Sequence, residues 1–172
     1  MESVSLSSDG RYIVSGSADN TVRIWNIETK KEIKKFEGHT HRVTCVCFSN
    51  DDRYIASGSW DGTVRVWDVE TQNEIKIFKG LDGCVWGHPP LIKSVYFSSD
   101  DRYIVSGSQQ NIIHVWDVVS QNSSIRLNIG NPICSCTLSN DNRFIVVGGN
   151  AGQIMIYDIE NLPAGTKNNS SL

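Results

Sequence analysis

Hydrophobic positions in this chain fall into runs of four to six residues, separated by clusters of serine, aspartate, asparagine and glycine. Val43–Phe48, Tyr54–Ser57, Thr63–Trp67 and Glu74–Phe78 are each rich in β-branched or aromatic residues, which suit a pleated, half-buried strand. Between them lie Ser49–Asp52, Asp61–Gly62 and Glu70–Asn73. Asp-Gly is a hairpin signal, because both residues tolerate the positive φ of a tight turn. Four short strands joined by short turns predict an antiparallel meander.

The pattern recurs. Arg53–Asp68 (RYIASGSWDGTVRVWD) reappears with falling fidelity as Arg11–Asn26 (RYIVSGSADNTVRIWN), Arg102–Asp117 (RYIVSGSQQNIIHVWD) and Arg143–Asp158 (RFIVVGGNAGQIMIYD). Aligning Trp25, Trp67, Trp116 and Tyr157 gives steps of 42, 49 and 41 residues. Repetition at such a period marks a stacked or radial repeat protein.

Gly38-His39 ahead of the second copy, followed by Ser57, Asp61 and Trp67-Asp68, resembles the WD-repeat family of β-propellers. The likeness runs from residue 2 to 158. It implies an all-β propeller segment of about four blades, each a four-stranded meander with strands a, b, c and d from the inside outward. The expected blades are residues 1–37, with a shortened first strand; 38–80; 81–130, with an insertion at 81–87; and 131–160, lacking its outer strand. Residues 161–172 read as a polar, disordered tail. Propellers carry 4–8 blades and the family resembles a wheel of about seven, so four wedges leave the ring open. The family also pairs its two chain ends within one blade, and neither end here offers that partner. The chain is therefore expected to be part of a larger ring.

With 39% apolar and 20% charged residues the chain reads as a folded soluble unit. Its net charge of −3 argues against a nucleic-acid partner, which a basic face would bind. No apolar run reaches membrane-spanning length, so no membrane partner is expected. An odd count of five cysteines behind an N-terminus without a signal sequence points to reduced thiols and a cytoplasmic location, with the nucleus also open.

His39, Ser57 and Asp61 invite comparison with a hydrolase triad, but the chain has no G-x-S-x-G elbow. The family resemblance implies instead a buried hydrogen-bonded chain from Asp61 through His39 and Ser57 to the Trp67 indole. The first copy keeps Ser15, Asp19 and Trp25 without a histidine. The third keeps His88, Ser106 and Trp116, with Gln110 in place of the aspartate. The fourth has Val147, Ala151 and Tyr157. Stability should therefore fall away from the second blade. His39-x-His41 near Cys45-x-Cys47 lacks the spacing of a zinc site, and the two cysteines read as small core side chains on one strand face. Neither metal, cofactor nor catalytic residue is expected. Lys30, Lys31, Lys34 and Lys35 read as a solvated turn and edge strand.

Alternating strands place the d–a and b–c connections at one end, which the resemblance implies is the recruiting surface for a protein or peptide. That end carries Thr40, His41 and Arg42 in one loop. Trp60 stands on the adjacent turn, where other copies have Ala18, Gln109 and Asn150. Leu81, Val85 and Trp86 lie in the insertion. Trp and Arg are the side chains enriched at binding hot spots. These residues, with Gln109, are the candidate contacts of a non-catalytic scaffold. The alternative is a half-propeller or fragment that completes its ring with another copy, or with further WD repeats in the remainder of a larger signalling or regulatory protein.

Overall fold

The computed structural model describes residues 1–79, 91–119, 123–150 and 152–162. They form four antiparallel sheets, each a meander in chain order. The first holds β1 (Ser3–Leu6), β2 (Tyr12–Gly16), β3 (Val22–Asn26) and β4 (Lys31–Phe36). The second holds β5 (Val43–Phe48), β6 (Tyr54–Ser59), β7 (Val64–Asp68) and β8 (Glu74–Phe78). The third holds β9 (Ile92–Phe97), β10 (Tyr103–Ser108), β11 (Ile112–Asp117) and β12 (Ser123–Asn128). The fourth holds β13 (Ile133–Leu138), β14 (Phe144–Gly149) and β15 (Ile154–Asp158), with no outer strand among the described residues. The inner strands β1, β5, β9 and β13 follow one another around the arc. This is an all-β propeller segment, and the described residues do not close a ring.

Burial follows from that stacking. In β6 and β10 five consecutive residues are buried, because each strand is covered on both faces by neighbouring sheets. In β14 only Ile145 and Val147 are, so alternation returns where one face is open. At the other end of the arc β1 alternates in the same way. Val4 and Leu6 are 57% and 61% exposed there, and Ile154 and Ile156 are 75% and 65% exposed on the fourth sheet.

Three devices join successive sheets. Phe36 lies against Trp67 with ring centroids 5.7 Å apart, and Phe78 stacks on Trp116 at 5.1 Å. The Lys34 ammonium donates to the carbonyl oxygens of Val69 and Glu70, and Lys76 donates to those of Val118 and Val119. Lys34 is thus a tie between sheets rather than the solvated edge charge expected of it. At the a–b turns Asp52 accepts from the Ser8 N–H at 2.7 Å, and Asp101 accepts from the Asn50 N–H at 2.8 Å. Asn142 accepts from the Ser99 N–H at 3.1 Å. Asp52, Asp101 and Asn142 all stand at positive φ, where Asp and Asn are the tolerated side chains after glycine.

Candidate interaction surface

Asp61 sits on the turn between β6 and β7, which Gly62 closes at φ 79°. Its carboxylate lies 2.8 Å from His39 Nδ1, and His39 Nε2 lies 2.8 Å from the Ser57 hydroxyl. Trp67 Nε1 donates to the same hydroxyl at 2.8 Å. With Asp61 ionised, His39 donates from Nδ1 and accepts the Ser57 proton at Nε2. Asp61 also accepts from the backbone N–H of Thr40 at 3.0 Å and from both the N–H and hydroxyl of Thr63. Burial alone would raise this carboxyl's pKa. The hydrogen bonds from His39, Thr63 and Thr40 outweigh it and hold the group well below the usual carboxylate range. Ser57 is fully buried, with its proton and lone pair committed to His39 and Trp67, so it offers no nucleophile at the surface.

The other copies assemble less of this chain. Trp25 donates to Ser15 at 2.8 Å, while Asp19 turns to Thr21 and Arg23. Trp116 donates to Ser106 at 2.8 Å. At the next turn Gln110 Oε1 is buried with no hydrogen-bond partner among the described residues. His88 lies outside the described residues. In the fourth sheet the Tyr157 hydroxyl points to the Met155 thioether. Cys45 and Cys47 are core side chains, and burial pushes the Cys47 thiol up to about 12. Cys134, by contrast, is exposed beside Asn150, because β13 carries a bulge between Ile133 and Ser135.

The loop face gathers Thr40, His41, Arg42 and Trp60. The Trp60 N–H donates to the Arg42 carbonyl at 3.1 Å, and the Ser59 hydroxyl to the His41 carbonyl at 2.9 Å, which fixes the turn against the loop. The Arg42 guanidinium lies 4.3 Å from the Trp60 ring centroid, and the Lys93 ammonium lies 5.7 Å from it. Thr40, His41 and Arg42 are exposed, and Trp60 is half-buried. Gln109 is exposed on the equivalent turn of the third sheet. Leu81, Val85 and Trp86 lie outside the described residues. Lys93, Glu2 and Thr63 were missed from sequence. Lys93 is a single charge in a strand, placed beside Trp60 only by packing between sheets.

Four stretches of the chain, residues 2–26, 30–68, 80–117 and 122–158, match the family model described as WD domain, G-beta repeat. The matches at 30–68 and 122–158 each begin with the outer strand of one sheet, β4 or β12, and end on the third strand of the next. The U3 snoRNP-associated protein-like YAO of Arabidopsis thaliana is 42% identical over 45 residues, which is 26% of this chain and 9% of that protein. Coatomer subunit beta'-2 of the same plant is 45% identical over 40 residues, 23% of this chain and 4% of that protein. Human Protein NEDD1 is 40% identical over 45 residues, 26% of this chain and 7% of that protein. Each match therefore spans less than a tenth of the relative's length. The family model covers most of this chain, in the strand order its sheets display, and the chain belongs to the WD-repeat family.

Proposed function

We propose that this chain is a non-catalytic scaffold that recruits a partner protein or peptide through its loop face. The observation that carries the reading is Trp60, held on a turn by Arg42 where no core position requires an aromatic. Aromatic and Arg side chains supply most hot-spot energy in interfaces. The experiment compares proteins captured by the full chain with those captured by Trp60→Ala, alongside the thermal unfolding of both. Loss of specific partners with little change in unfolding supports the reading. A fall of several degrees with unchanged capture makes Trp60 a structural residue and ends it.

A second reading rests on a different observation. Trp67 and Trp116 are 2% and 3% exposed beneath Phe36 and Phe78. Trp25, their counterpart, is only half-buried and lines an apolar recess of about 410 Å³ with Val4, Ile13 and Ile27. An outer strand from another blade, with a lysine two residues before a phenylalanine, repeats the contact already made twice within the chain. In this reading the chain completes its ring by assembly. Light scattering decides between pairings: a folded particle near twice 19.1 kDa means that copies pair. A monodisperse single mass means that they do not.

A further inference from the structure

We infer that the Arg42–Trp60–Lys93 cluster takes an acidic side chain, aspartate or glutamate, from the recruited protein. This rests on the recruiting role proposed above and narrows it to one chemistry.

Three observations carry it. First, the Arg42 guanidinium lies over the Trp60 ring, its carbon 4.3 Å from the ring centroid. A guanidinium has five N–H donors in a planar fork, so one held over a ring still has donors to offer a carboxylate. Second, Lys93 approaches the same indole from β9 of the next sheet and makes no ion pair among the described residues. The nearby acid Asp61 is committed to His39, Thr40 and Thr63, so it neutralises neither cation directly. The cluster is thus locally positive on a chain of net charge −3. Third, a carboxylate of the chain already visits the site: Glu2 Oε1 lies 3.4 Å from Arg42 Nη1. That contact is long, with the Arg42 and Glu2 side chains 43% and 34% exposed. An exposed pair of this kind is weak, so a partner's carboxylate can replace Glu2 at small cost. The indole also excludes water from one side of both cations, which strengthens their attraction for an incoming charge.

A polyanion such as nucleic acid is the poorer fit. Its affinity grows with the number of phosphates neutralised along a basic stripe, and here two cations flank one ring, one of them beside Glu2.

The test titrates three labelled probes with the full chain at low and raised salt: a short peptide of alternating glutamate and serine, its glutamine counterpart, and a thymidine oligonucleotide. The acidic peptide should bind about tenfold tighter than the glutamine peptide, the sum of two modest ion pairs. Arg42→Gln and Lys93→Gln should each weaken it about threefold. Glu2→Gln, which removes the internal competitor, should tighten it by a similar factor. All three are surface changes, and circular dichroism checks that each variant remains folded. Equal binding of both peptides, weakened alike by Trp60→Ala, overturns the acidic preference and leaves the recruiting role standing. Weaker binding in Glu2→Gln, or preference for the oligonucleotide, overturns it as well. So does a failure of both peptides to bind, and the recruiting role is then decided by its own capture experiment.

Discussion

Gly58 and Ile92 meet across the seam between the second and third sheets so closely that a Cβ on Gly58 would lie 2.4 Å from Ile92 Cγ2. The same position is Gly107 in the third sheet, where a Cβ would lie 2.8 Å from Ile133 Cγ2. In the fourth sheet it is Gly148, where the nearest atom would be 3.9 Å away. Gly58→Ala is therefore expected to destabilise by about 1–3 kcal/mol through overpacking. Gly148→Ala should be neutral or stabilise by about 0.5 kcal/mol. Urea denaturation of the two variants measures the contrast, and equal effects would mean that the seams do not set these glycines.

Asp61 and Asp19 occupy equivalent turns, but only Asp61 supports a buried histidine. Asp61→Ala leaves the His39 N–H and the Thr40 N–H without their acceptor, which should cost about 1–3 kcal/mol. Asp19 is 48% exposed and pairs with Arg23. Its removal should cost under about 1 kcal/mol. Denaturation midpoints decide the order. An unchanged midpoint for Asp61→Ala would refute the energetic weight given to the buried chain.

His114 sets the acid response. Burial first, and then the charge of Arg126, push its pKa from 6.5 down to about 4. Arg126 pairs with it directly across β11 and β12. The folded state therefore keeps His114 neutral where the unfolded chain protonates it. The resulting stability is fully present above pH 6.5 and is lost as pH falls towards 4, roughly 3 kcal/mol in all. Asp61, whose pKa is lowered, acts only in more acid solution, where its carboxylate would be protonated. Stability measured against pH should slope between 6.5 and 4 in the wild type, and that slope should flatten in His114→Phe.

Lys34 and Lys76 each tie an outer strand to backbone carbonyls of the following sheet. Lys34→Met and Lys76→Met should each cost about 1–2 kcal/mol, the range of a charge-assisted hydrogen bond on a part-buried site. They act at different seams, so the double variant should lose the sum of the two within about 0.5 kcal/mol. Calorimetric unfolding tests both points, and a clear departure from the sum would show that the seams are coupled.

Much of the fold was legible because strands and turns are local. Residue type and turn chemistry predict β5 and β8 residue for residue, and the Asp61–Gly62 turn lies where an Asp-Gly pair belongs. The ties between sheets were not legible. Lys34 reads as an edge charge because its acceptors are backbone carbonyls, which any sequence presents. Asp52 reads as a turn residue, and the Ser8 N–H that it holds lies 44 positions earlier. Trp60 stood out as an aromatic on a turn, but Lys93 did not, since the two meet only after β9 has packed beside the second sheet.

The stagger between the family's repeat unit and the sheets has a consequence for how such a chain can grow. The unit at 30–68 begins with β4 and ends with β7, so its first strand completes one sheet and its other three begin the next. A duplicated unit inserted at that boundary would supply the outer strand that the preceding three strands require. Its own three strands would in turn receive the outer strand of the unit that follows. The number of sheets rises by one and no strand is left without a neighbour. Because the unit of inheritance is out of step with the unit of folding by one strand, each new copy is hooked to both neighbours by backbone pairing before any side-chain contact has been optimised.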